Sequence, residues 1–127
     1  MARRRDRGSA TVEFALVLPV LLVVSLAVVQ IGLLVRDQLV LVAAARSGAR
    51  EAAVTGDDGE VRAAVERAAT TIAPGAISME VGREGARGAA VSVDLVYRAP
   101  VRVPFVGWLF PPSVRLHAGA AMRQEFG

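Results

Sequence analysis

Residues 7–37 read RGSATVEFALVLPVLLVVSLAVVQIGLLVRD. From Phe14 to Val35, 22 consecutive residues carry no ionisable side chain, and Ser25 and Gln30 are the only polar ones. At a rise of ~1.5 Å per residue this run covers roughly 33 Å, enough to cross a hydrocarbon core of about 30 Å. A helix apolar around its whole circumference for that length suits lipid better than the core of a soluble domain. Pro19 stands early in the run and predicts a kink or loosened first turns, which membrane helices tolerate. The stretch predicts a single membrane-crossing helix, and the rest of the fold is read outward from it.

Its flanks differ in charge. MARRRDRG, residues 1–8, places Arg3, Arg4, Arg5 and Arg7 against Asp6, whereas Arg36 and Asp37 cancel on the far side. The positive-inside rule then puts the N-terminus in the cytoplasm and exports the C-terminal part. The net charge of +3 resides wholly in those eight residues, because residues 9–127 carry equal numbers of basic and acidic side chains. A short basic leader is not the basic face of a nucleic-acid-binding domain, so no nucleic-acid partner is expected. A cleaved secretory signal fits poorly. Its apolar region spans about 7–15 residues before an A-x-A-like site, and the only such site here is Ala43-Ala44-Ala45, beyond a much longer run. With no cysteine, the exported part folds without disulfides.

Glu13 is the anomaly, a carboxylate at the mouth of the apolar run. One reading is helix electrostatics, since an acidic side chain in a first turn complements the positive end of the dipole. A capping box does not apply, because the residue three positions earlier is Ala10. A second reading counts from Gly8. With the chain cut after Gly8, Ser9 becomes the first residue, Glu13 the fifth and Phe14 the sixth.

A basic leader ending in Gly, then this Glu-Phe pair and a long apolar helix, resembles the processing signature of type IV pilins and pseudopilins. The string SATVEFALVLPVLL, with AAARSGAREAA at residues 43–53 and AGAAMRQE near the end, resembles the TadE-like family of the Tad/Flp pilus system. The resemblance implies a prepilin peptidase acting at Gly8–Ser9. It also implies packing against other pilin-like subunits and the Tad machinery, with the Ser9 amine of one subunit paired by Glu13 of its neighbour beside Phe14. Opposite charges attract several-fold more strongly at the reduced dielectric of packed helices than in bulk water, and a carboxylate in a membrane segment is a functional candidate in its own right.

Beyond the span, Gln38 to Val54 still reads as helix, with Leu39, Val42, Arg46, Ala49 and Ala53 near one stripe. Ala44-x-x-x-Gly48 and Ala45-x-x-x-Ala49 have the small-xxx-small spacing that lets helices approach closely, although alanine also favours helix by itself. One helix of roughly 40 residues is expected from near Ser9. Thr55-Gly56-Asp57-Asp58-Gly59 breaks it, and Asp57 or Asp58 caps a second helix from about Glu60 to Ile72. That helix would bury Val61, Ala64, Val65, Ala68 and Ala69. The acidic cluster lacks the ligand spacing of a calcium loop, so no metal site is read there.

After Pro74-Gly75 the period changes to two. Ile77, Met79 and Val81 alternate with polar or small residues, then Glu84–Gly88 turns the chain, then Val91, Val93, Leu95 and Tyr97 alternate, which predicts a hairpin. Val114, Leu116, Ala118, Ala120 and Met122 predict a third strand. Three strands apolar on one face need a cover, for which the two helical segments are available. The fold class expected is α+β and pilin-like: a long N-terminal membrane helix extended into an exported domain, with a second helix on a small antiparallel sheet. Residues 1–8 form the leader, 9–54 the membrane helix with its extension, and 55–127 the exported domain.

Between strands two and three, VPFVGWLFPPS (103–113) holds Phe105, Trp108 and Phe110 among three prolines. Either the loop packs its aromatics over the sheet edge, or it forms a patch for a partner subunit or the bilayer interface, where Trp is favoured. The single histidine, His117, reads as an exposed strand residue. No nucleophile–base set, metal cluster or phosphate loop is recognisable, so neither catalysis nor a cofactor is expected. Two classes of function follow. One is a structural assembly protein, a TadE-like pseudopilin in the cytoplasmic membrane or its pilus. The other is an unprocessed single-pass membrane protein whose exported domain binds an envelope partner.

Overall fold

The computed structural model describes the backbone of residues 2–126 and the side chains of residues 7–126. The side chains of Arg3, Arg4 and Arg5, which carry most of the leader charge, lie outside the described residues. Five elements follow in order: α1 (Ala2–Val54), α2 (Asp58–Ala68), β1 (Ile77–Arg83), β2 (Ala90–Pro100) and β3 (Ser113–Arg123). The strands form one antiparallel sheet in the order β1-β2-β3. This is the α+β layout expected.

α1 is longer than the sequence suggested. Its 53 residues begin at Ala2, so the helix runs through the leader and past Pro19 without a break. Every residue from Gly8 to Leu22 is exposed. Farther along, the buried and half-buried positions Val23, Leu26, Ala27, Gln30, Leu34, Asp37, Leu41, Ala44, Gly48 and Ala52 recur every three or four residues, one continuous stripe. The stripe predicted for the extension is only partly right. Ala49 and Ala53 are buried, but Leu39 and Arg46 are exposed. The contact face is chosen by small size, because α2 and the sheet approach the helix backbone closely. A Cβ added to Gly48 would stand 2.6 Å from Val65 Cγ2 and 3.2 Å from Val93 Cγ1, so only glycine fits unchanged.

α2 starts earlier and ends earlier than expected. Asp57, in extended conformation, accepts the Gly59 N–H at 2.8 Å, and Val61, Ala64 and Val65 are buried. Asp58 and Glu60 in its first turn and Arg67 in its last suit the helix dipole. Ala69 and Ile72 are buried as predicted for Ala69, but both lie past the last helical residue. α2 packs on α1, and it is α1 that lies across β2 and β3 as the main cover of the sheet.

The strand periodicity places the core. Val91, Val93, Leu95, Tyr97 and Ala99 of the central strand are all buried against the helical layer, each fully buried Val or Leu contributing about 1.5–3 kcal/mol. Ile77 and Ala118 join them, with Met79, Val81, Leu116, Ala120 and Met122 packed at the margins. The β1–β2 turn places Gly85 and Gly88 at positive φ, as a reversal of this kind requires. The C-terminal tail closes the domain: Gln124 N–H donates to Ala89 O, and Glu125 N–H donates to Ala53 O, each at 2.8 Å.

Candidate functional site

The N-terminal motif lies on the exposed stretch of α1. Gly8, Ser9, Glu13 and Phe14 all face away from the rest of the chain. Among the described residues Glu13 has no ion-pair partner. A Cβ at Gly8 would meet nothing within 4 Å, so packing within this chain gives no reason for a glycine there. Thr11 Oγ1 and Ser25 Oγ donate to the carbonyls one turn earlier, Arg7 O and Leu21 O, at 2.9 and 2.7 Å. Their polarity is thereby absorbed by the helix itself.

A second constellation joins the stem to the domain, and sequence reading missed most of it. Gln30 is 0 % exposed, and its Oε1 accepts the backbone N–H groups of Arg102 at 2.9 Å and Val103 at 3.0 Å. Two turns on, Asp37 is also buried, and its Oδ2 lies 3.3 Å from Arg102 Nη2. Arg102 Nη2 also donates to the Tyr97 hydroxyl at 3.2 Å. Gln38 Nε2 donates to His117 O at 2.9 Å. Asp37 therefore pairs with Arg102, 65 residues away in sequence. Gln30 was visible as a rare polar residue in the apolar run, but its partners lie more than 70 residues away.

The loop between β2 and β3 departs from the sheet edge. Val106 is fully buried, but Phe105 and Trp108 are 78 % and 75 % exposed, and Phe110 is half-buried. Trp108 lies beside a shallow apolar groove on the stem formed by Pro19, Val20, Val23 and Val24. The expectation that the aromatics pack over the sheet edge is thus not met, because Gln30 draws the start of the loop down along α1. Phe105 has φ of 66°, and its carbonyl accepts the Trp108 indole N–H at 2.9 Å. The aromatic patch and the N-terminal motif stay apart, since Pro19 is about 9 Å along the axis from Glu13.

On the outer face of the sheet, His117 Nε2 lies 3.5 Å from Asp94 Oδ1, with His117 exposed and Asp94 half-buried. Among the described residues no group of three or more His, Cys, Asp or Glu side chains is placed to hold a metal.

These features define a class, a single-stem protein with an α+β head. Its stem contains a window of mean hydropathy 2.7, only 6 % of it buried, so the helix is long and apolar enough to cross a membrane once. Residues 8–50, about a third of the chain, match the model of the TadE-like protein family, so this segment, from the Gly8–Ser9 pair through the small-residue seat at Gly48, is similar to TadE-like proteins. The match covers the stem and leaves α2 and the sheet outside it. The similarity of the stem suggests a Tad pilus-related role. No curated protein and no solved structure matches the chain.

Proposed function

We propose that the chain is a pseudopilin that acts structurally in assembling a Tad/Flp-type pilus or a related export machine, and that it has no catalytic activity. A prepilin peptidase cuts between Gly8 and Ser9. Residues 1–8 stay in the cytoplasm, 9–54 form the stem, and 55–127 form the extracytoplasmic head. Glu13 of one subunit then pairs with the Ser9 amine of another, with Phe14 packed alongside.

The observation that carries this reading is the isolation of Glu13. It stands at the start of the apolar run, exposed and without a cationic partner among the described residues. A carboxylate there is unfavourable in lipid unless a second chain supplies the partner. Crosslinking to other pilin-like subunits tests it, comparing wild type with Glu13→Gln at equal membrane abundance. The variant should insert and be cut, yet associate far less; equal association would reduce Glu13 to a helix-end residue.

A second reading rests on the continuity of α1 from Ala2 through Gly8 and Ser9. An unprocessed single-pass protein would keep this helix intact and use its head to bind an envelope partner. The mass of the membrane-purified chain separates the two.

A further inference from the structure

Val103 to Val114 is a stretch of 12 residues without a charge, and it hangs from the head alongside the apolar stem. Val106 is buried and Phe110 half-buried, but three other large side chains face outward. Phe105, Trp108 and Leu109 are all exposed, although burying such groups is worth about 1.5–3 kcal/mol each. Phe105 holds a left-handed conformation that a bulky residue adopts only under strain, and the Phe105 O to Trp108 indole bond fixes the turn in that form. Strain that keeps aromatics out of the core marks a contact surface. The groove beside Trp108 belongs to Pro19, Val20, Val23 and Val24, the same surface that the stem would show to lipid.

Charge is arranged in a band around this stretch. Arg102 and Arg115 flank it in sequence. Arg98 and Arg115 are directly opposed on β2 and β3, both exposed, with no acidic partner for either among the described residues. Facing like charges are unfavourable without a shared anion. The bonds of Gln30 to the start of the loop and of Gln38 to His117 put Arg115 between those two levels of the stem. Arg36 emerges from the stem within the same interval.

Resting on the membrane-crossing stem of the proposed function, we propose that this loop is a bilayer anchor: its aromatic tip enters the outer leaflet while Arg36, Arg98 and Arg115 meet lipid phosphates. An aromatic at the headgroup boundary with basic side chains just above it is the order that an interface favours. The anchor also resets where the stem leaves lipid. Irregular backbone is not stable deep in hydrocarbon, so the outer boundary falls near Val24 to Ala27, just above the groove beside Trp108, and not at Val35. The crossing stretch becomes residues 8–27, about 30 Å of helix, and Glu13 moves inside the inner boundary.

Trp108 is the only tryptophan, and the chain has no cysteine, so both claims are directly readable. The full chain is reconstituted in phosphatidylcholine–phosphatidylglycerol vesicles, and Trp108 fluorescence is measured with lipids brominated at graded depths and with aqueous iodide. In parallel, Val17→Cys and Val35→Cys carry an environment-sensitive dye. The expected result is blue-shifted Trp108 emission, quenching strongest by the shallowest bromines, and iodide quenching several-fold weaker than in the Phe105→Ser variant. Val17 should report lipid and Val35 water. Trp108 open to iodide with Val17 in lipid would overturn the anchor and leave a protein partner for the patch. Val35 in lipid would overturn the shifted boundary. Val17 in water would overturn the anchor together with the membrane-crossing stem on which it rests.

Discussion

Arg102 holds Asp37: the Nη2–Oδ2 distance is 3.3 Å, with Asp37 2 % exposed and Arg102 38 %. The two are 65 residues apart in sequence and fix the loop end of the sheet to the stem. Removing either partner is not equivalent. Arg102→Ala strands a buried carboxylate, whereas Asp37→Asn leaves an arginine that can turn to water. Loss of one partner in a fully buried pair costs about 3–5 kcal/mol. Arg102 is partly solvated, so roughly 2 kcal/mol is expected for Arg102→Ala, and less for Asp37→Asn. Thermal unfolding in detergent, followed by near-ultraviolet circular dichroism, should rank the variants in that order.

Gly48 is where α1, α2 and β2 meet most closely. Gly48→Ala gains about 1 kcal/mol of helix propensity but drives a methyl into Val65 and Val93, an overpacking that costs about 1–3 kcal/mol. A net loss is expected, larger for Gly48→Leu. Val65→Ala should partly rescue Gly48→Ala, and a double-mutant cycle should show a favourable coupling of about 1 kcal/mol.

Gln30→Leu should act locally. The N–H groups of Arg102 and Val103 would lose their acceptor, an effect of about 1–3 kcal/mol for a buried group. Hydrogen exchange should speed at these two amides while the β2–β3 ladder keeps its protection. Uniform loss of protection would mean that Gln30 supports the whole head and not the loop alone.

The stem and the three strands were legible because each rests on local pattern, an uncharged run or alternation, and the cap of α2 was narrowed to Asp57 or Asp58, of which Asp57 is the one used. The contact face of the stem extension was legible in part. The apolar stripe put Leu39 and Arg46 on it, which are exposed, whereas the small-xxx-small pairs Ala44/Gly48 and Ala45/Ala49 named residues that close packing does bury. The Asp37–Arg102 and Gln30–Arg102 contacts were hidden for another reason. They depend on where the β2–β3 loop is carried in three dimensions, which no spacing along the chain records. The reading of the Gly8–Phe14 motif rests on its order in the sequence, and among the described residues nothing within the fold gathers other side chains around it.

Phe105→Gly separates strain from contact. Relief of the left-handed conformation, about 1–3 kcal/mol, exceeds the added unfolded-state entropy of about 0.4–1 kcal/mol. The variant should melt a few degrees higher in detergent. In vesicles it should leave Trp108 more open to aqueous quenchers, since one aromatic of the patch is gone.

Processing is tested most directly by the mass and N-terminal sequence of the chain purified from membranes of cells that contain a prepilin peptidase. The expected product begins at Ser9, and Gly8→Arg should retain residues 1–8, because a long side chain blocks approach to the scissile carbonyl. A wild-type chain that still carries Arg3 to Arg7 under those conditions would contradict the pseudopilin account and leave a single-pass membrane protein in its place.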